Sequence, residues 1–98
     1  MSGKEKIIRN YLNEEYLRPI RFNDHIFFHF GNGRYALFNY NRMKLIHNPE
    51  ICVFLCEFFN SDQKIINSVI EEWCLDKVNK MRDVINDLPH GSSHLSTK

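Results

Sequence analysis

The chain lacks an excess of charge of either sign and lacks long apolar runs. Its 98 residues carry 13 Lys and Arg against 12 Asp and Glu, so the net charge is +1 and no overall field recruits nucleic acid or an anionic membrane. No apolar run approaches the roughly 20 residues that span a bilayer. The opening residues, Met-Ser-Gly-Lys-Glu-Lys, are not followed by an apolar signal core. We therefore expect a cytoplasmic protein that does not contact a membrane.

Cysteine is scarce, and its three copies are odd in number. Cys52, Cys56 and Cys74 lie among apolar residues, whereas a secreted disulfide framework has more cysteines, placed in loops. Zinc-binding Cys pairs are flanked by Gly or polar residues in turns, but Cys52 and Cys56 are bracketed by Val, Phe and Leu. The pattern predicts reduced, buried thiols, with no metal and no cofactor.

Reaction motifs are missing as well. The chain has no Gly-x-Ser-x-Gly, no phosphate-binding Gly loop and no His-Glu-x-x-His. The acidic pairs Glu14-Glu15 and Glu71-Glu72 are adjacent in sequence, so on a helix the members of each pair diverge and do not converge on a substrate. These absences predict a protein that is not an enzyme and has no catalytic residues.

What the chain does contain is typical of one small globular domain. It is 43% hydrophobic and 26% charged, which is too apolar for a disordered chain. We expect a single α+β domain over residues 1–88 and a flexible tail over 89–98, which is rich in Gly, Ser, Thr and His. The 11 Asn residues are the bias of an AT-rich genome, such as that of a phage, a virus or an AT-rich bacterium.

Helical spacing is present at both ends of the chain. Apolar residues predict a first helix from about Gly3 to Leu17, which Pro19 stops. After Pro49, the apolar run 51–59 predicts a short buried helix. From 62 to 88 the apolar residues recur every three or four positions, which predicts a long amphipathic helix that is either continuous or bent near Leu75-Asp76.

Between Arg21 and His47 the pattern changes to that of a three-stranded antiparallel β-meander, with turns at Gly31-Asn32-Gly33 and Asn41-Arg42. A two-residue turn at Asn32-Gly33 is the expected hairpin connection. This turn predicts a register in which Phe30 pairs with Tyr35, Phe28 with Leu37, and Phe27 with Phe38.

Both faces of the predicted meander are apolar, which is unusual for a protein of this size. We expect the helices to cover the face of Phe28, Phe30, Tyr35, Leu37 and Ile46. The second face then needs a partner. Together with the distal part of the long helix, it supplies the predicted partner or dimer interface, which consists of Phe27, His29, Phe38, Tyr40, Met81 and Ile85.

Nucleic acid is the alternative ligand for that face. The segment Arg34-Tyr-Ala-Leu-Phe-Asn-Tyr40 resembles the RNA-stacking strand of RNA-recognition motifs over seven residues. It lacks the Gly that follows the basic position there, and the predicted order of elements departs from the βαββαβ order of that family. This alternative assigns nucleic-acid contacts to His25, Arg34 and Lys44.

The sequence as a whole predicts a small non-enzymatic protein-interaction module that forms a homodimer. The size and the Asn-rich composition favour a viral accessory protein, encoded by a phage or virus, that works in the host cytoplasm. There it would bind and inhibit or redirect a host defence or transcription complex. A nucleic-acid-binding protein is the second hypothesis.

Overall fold

The computed structural model describes residues 3–88, in which three α-helices pack against one face of a four-stranded antiparallel sheet. The strands are adjacent in the order β1-β2-β3-β4, so the sheet is a simple meander. In chain order the elements are α1 (Gly3–Glu15), β1 (Tyr16–Phe22), β2 (His25–Phe30), β3 (Tyr35–Asn39), β4 (Lys44–His47), α2 (Pro49–Phe58) and α3 (Gln63–Lys80), with short 3₁₀ segments at Gly31–Gly33 and Arg82–Asp87.

The fold is α+β, but the prediction of three strands is wrong because it missed β1. Helix α1 ends at Glu15, and the chain turns at once into a strand that contains Pro19. Proline cannot donate to a sheet ladder, yet β1 is an edge strand that pairs only with β2, where proline is tolerated. The strand also has a register shift between Tyr16 and Arg18, and its apolar alternation is limited to Ile20-Arg21-Phe22, so its sequence pattern is weak.

The predicted pairing of β2 with β3 is wrong by one residue. The connection takes three residues, Gly31–Gly33, because the Phe30 N–H donates to the Arg34 carbonyl at 2.8 Å. Asn32 and Gly33 adopt positive φ angles of 66° and 74°. A one-residue slip moves every side chain of a strand to the opposite face. Ala36 and Phe38 therefore join the helix-covered face, and Tyr35 and Leu37 do not.

Trp73 of α3 lies at the centre of the buried layer. Its ring centroid is 5.1 Å from that of Tyr16, 5.5 Å from that of Phe28 and 5.2 Å from that of Phe30. The indole Nε1–H donates to the Asn13 side-chain oxygen of α1 at 2.8 Å. A single side chain therefore joins α1 and α3 to the first two strands of the sheet.

The C-terminal helix is shorter than the sequence pattern predicts. The prediction of a helix over 51–59 matches α2, which begins at Pro49. The predicted helix over 62–88 is instead α3, 18 residues long, followed by a 3₁₀ segment. The break falls at Met81, whose φ of −112° is not helical, and not near Leu75-Asp76. The expected tail over 89–98 lies outside the described residues.

The observed register predicts unequal losses of stability for two adjacent substitutions. Phe38→Ala should lower the free energy of unfolding by about 3–5 kcal/mol, since it opens a cavity in the core. Leu37→Ala should lower it by only about 1 kcal/mol, because Leu37 is partly exposed on the other face. Urea denaturation followed by Trp73 fluorescence measures both. A larger loss for Leu37→Ala would support the two-residue turn and contradict this register.

Candidate interaction face

The helices leave one face of the sheet uncovered, and we call its outward side chains the open face. Strand pairing places these side chains together, because residues that are directly opposite in a sheet point to the same side. From β1 to β4 they are Arg18, Ile20, Phe22, His25, Phe27, His29, Tyr35, Leu37, Asn39, Lys44 and His47. All but Asn39 keep intermediate or high exposure.

Four rings form a connected cluster across the middle of the open face. The Phe27 centroid lies 6.0 Å from that of His29 and 5.5 Å from that of Tyr35. His29 lies 6.2 Å from Tyr35, which in turn lies 6.3 Å from His47. These separations are typical of favourable aromatic pairs. Leu37 is paired between Phe27 and His47, so the centre of the face is continuous and apolar.

The open face has little permanent charge. Its only permanently charged side chains among the described residues are Arg18 and Lys44, which lie on the two edge strands. No outward residue of the four strands carries a carboxylate. The interior of the face therefore consists of aromatic rings and histidines, with cations only at its margins.

His29 is an imperfectly satisfied polar group inside this apolar cluster. Its Nδ1 is buried and makes no hydrogen bond. Burial lowers the pKa of His29 because it disfavours the charged imidazolium; the Phe27 backbone acts in the opposite direction, and Arg18 lowers the pKa further. The neutral imidazole is the form that this environment favours.

The predicted interface residues fall in two separate places. Phe27 and His29 lie on the open face, together with His25 and Lys44 from the nucleic-acid set. The assignment of Phe38 to the second face is wrong, because Phe38 is fully buried beneath the helices as a result of the hairpin register.

Tyr40, Met81 and Ile85 lie on the helix side of the sheet. Tyr40 lines a shallow cavity of about 190 Å³ with Ile85 and Arg82. Ile85 is 5% exposed, and Met81 packs half-buried against the core. These three predicted interface residues therefore do not share a surface with Phe27 and His29.

Arg34 also lies away from the open face. Its guanidinium carbon is 3.7 Å from the centroid of the Phe54 ring of α2, and its Nη1 donates to the Gly31 carbonyl at 3.4 Å. This cation–π contact ties the β2–β3 turn to α2. It separates Arg34 from the other two residues of the predicted nucleic-acid set, His25 and Lys44.

Sequence reasoning missed Ile20, Tyr35, Leu37 and His47 as members of the open face. Tyr35 and Leu37 were expected under the helices because of the two-residue turn. A three-residue Gly-Asn-Gly connection is the signal that assigns them correctly. Ile20 could be assigned to the open face only if β1 was recognised as a strand, and the sequence of β1 carries little strand signal.

Both edges of the sheet are poor templates for another strand. On β1, Pro19 and the irregular register interrupt the row of backbone donors. On β4, which has only four residues, the Leu45 N–H donates to the Glu71 carboxylate of α3 at 3.1 Å. A partner therefore meets the sheet more readily through its open face than along an edge.

Two of the three thiols are deeply protected. Burial, together with a smaller contribution from the neighbouring Cys56, raises the pKa of Cys52 to about 11. Burial also raises the pKa of Cys74, which Glu71 raises further. Since the thiolate is the nucleophilic form, these two groups are poorly suited to attack a substrate.

Residues 3–88 contain no cluster of three or more His, Cys, Asp or Glu side chains that fits a metal ion. In the same range no helix has both the length and the apolar character needed to cross a membrane. No protein family, curated protein or solved structure matches the chain. The geometry of the open face is therefore the basis for the functional argument.

His29 should make the fold less stable in acid. Because its folded-state pKa lies below the ordinary value of 6.5, the stability associated with neutral His29 is present above that pH and is lost as the pH falls through the folded pKa. His29→Phe should therefore flatten the decrease in unfolding free energy below about pH 6.5, measured by urea denaturation. The neighbouring ring variant Tyr35→Phe is the control and should keep the wild-type slope.

Glu71 should protect the β4 edge. Removal of its carboxylate by Glu71→Ala leaves the Leu45 N–H without its acceptor, and amide hydrogen exchange at Leu45, followed by NMR, should become about tenfold faster or more. Glu71→Gln retains an acceptor oxygen and should show a smaller increase. Equal exchange in wild type and Glu71→Ala would show that the contact does not protect this edge.

Proposed function

We propose that this chain is a small, non-enzymatic protein-interaction module that self-associates through its open face as a homodimer. The observation that supports the proposal is the connected cluster of Phe27, His29, Tyr35 and His47 on a face that none of the helices of residues 3–88 covers. Connected apolar patches on the surface of a small protein mark interaction sites.

A second copy is the partner that best suits this face. Two like faces bring rings against rings around a two-fold axis, the commonest symmetry of soluble oligomers. The net charge of +1 produces almost no repulsion between copies. A strongly acidic partner would be better matched by cations at the centre of the contact, whereas Arg18 and Lys44 lie on the edge strands.

The dimensions of the sheet set the expected strength of the dimer. Four strands spaced about 4.8 Å apart, with about five residues each at 3.3 Å per residue, give a footprint of roughly 15 by 17 Å. This footprint, roughly 250 Å², is well below the 800 Å² per partner that a standard specific interface buries, so the contact belongs with weak, transient interfaces. We expect a dissociation constant in the micromolar range, and thus a reversible dimer.

We further propose an origin and a target for this module. The Asn-rich composition and small size support a phage- or virus-encoded accessory protein that inhibits or redirects a host defence or transcription complex. The test is a pull-down from host lysate with wild type, Phe27→Asp and Val53→Asp as parallel baits. If the dimer is the form that binds the host complex, a subunit of that complex should be retained by wild type and Val53→Asp and lost with Phe27→Asp; equal retention by all three would show that host binding does not need the open-face dimer.

Phe27→Asp should convert the dimer to a monomer. The substitution places a charge at the centre of the apolar cluster, and its burial in a dimer is unfavourable. Sedimentation velocity across the micromolar range should show a dissociation constant raised more than tenfold. Val53→Asp is the matched control, because Val53 is 58% exposed on α2, away from the sheet face, and should leave the dimer unchanged.

Phe27→Thr provides a second test that keeps the strand propensity of the site. It should also weaken the dimer, with circular dichroism like that of wild type. Wild-type monomers throughout the micromolar range would contradict the proposal. A monomer that shifts single-stranded RNA or DNA, with an affinity that falls as salt rises, would instead support the nucleic-acid alternative.

A further inference from the structure

We propose that self-association through the open face is acid-sensitive, with a dimer that forms when His25, His29 and His47 are neutral and separates when they are protonated. This inference depends on the proposed function and adds a mode of regulation to the same face. Three of the five histidines of the chain lie on this face, one on β4 and two on β2.

His25 is held in a geometry that suits its neutral form. The Asn39 side-chain oxygen accepts from the Arg42 N–H at 2.8 Å, which directs the Asn39 amide nitrogen toward His25. That nitrogen lies 3.4 Å from His25 Nε2, and since an amide NH₂ is only a donor, Nε2 must be the acceptor. In a protonated His25 the Nε2–H would face the Asn39 amide NH₂. Because both groups are donors, this contact would break.

His29 and His47 belong to the ring cluster itself. His29 lies 6.0 Å from Phe27, and its buried Nδ1 makes no hydrogen bond. His47 lies 6.3 Å from Tyr35 and is exposed in the single chain. A second copy placed on the cluster would remove water from both imidazoles, which disfavours their charged forms.

The groups that face these histidines do not compensate a positive charge. β1 contributes Arg18 opposite His29, β3 contributes the Tyr35 hydroxyl, and β4 contributes Lys44. The nearest carboxylate along the chain, Asp24, lies exposed in the turn between β1 and β2. Because the dimer doubles this set, protonation introduces as many as six cations into a contact to which the described strands contribute no carboxylate.

The direction of the pH effect distinguishes a second copy from another kind of partner. A histidine that must stay neutral in the dimer weakens association about tenfold one pH unit below its free-state pKa. An acidic protein or a nucleic acid would gain attraction from the same protonation and would bind more tightly in acid. A weaker contact at low pH is thus the signature of self-association.

The test is sedimentation velocity of the full chain at pH 7.5, 6.5 and 5.5. The wild-type dissociation constant should rise at least tenfold between pH 7.5 and 5.5. The triple variant His25→Gln, His29→Phe, His47→Phe should dimerise at pH 7.5 and show less than a threefold change. The control His90→Gln, His94→Gln alters the other two histidines and should behave like wild type.

Trp73 fluorescence at each pH checks that the fold is intact, and if wild type unfolds at pH 5.5, the comparison is made between pH 7.5 and 6.0. A wild-type dimer of unchanged or greater strength in acid would overturn the inference and leave the proposed function standing. Equal acid sensitivity in the triple variant would also overturn it. A wild type that is monomeric at every pH would overturn the proposed function together with this inference.

Discussion

The placement of Trp73 against the sheet is the contact on which the rest of the structure depends. Its ring touches Tyr16 and the aromatic side chains of β2, and its indole N–H holds Asn13 of α1. With α3 held there, α1 and α2 complete one helical layer, and the described chain has no further α-helix for the other side of the sheet. One-sided coverage is the direct consequence, and it leaves an apolar, ring-rich surface in contact with solvent.

The β2–β3 turn determines which residues occupy that surface. A three-residue connection with two positive-φ residues places Phe38 inside and Tyr35 outside. A two-residue turn would have reversed both, because the side chains of a strand alternate. The composition of the open face, four rings at its centre and cations only on the edge strands, therefore depends on the hydrogen bond between Phe30 and Arg34.

The open face is also the surface through which pH is proposed to control self-association. Edge pairing is hindered by Pro19 on one side and by the Glu71 contact on the other, which favours contact through the face. The face also concentrates histidines where the outward residues of the four described strands include no carboxylate, and the orientation of Asn39 favours a neutral His25. The proposed dimer contact and its proposed sensitivity to acid therefore depend on the same side chains of the open face.

The sequence by itself determined the α+β class, the positions of α2 and the last three strands, and the presence of two apolar faces, because these follow from local spacing and from Pro, Gly and Asn signals. It did not reveal β1, since an edge strand interrupted by Pro19 has an alternation of only three residues, Ile20-Arg21-Phe22. Nor did it locate the end of α3 at Met81, where no Gly or Pro marks the break. Spacing within β2 already placed Phe27 and His29 on one face, but tertiary structure alone decided that Tyr35 and His47 join them, because cross-strand register depends on backbone hydrogen bonds that residue spacing does not specify.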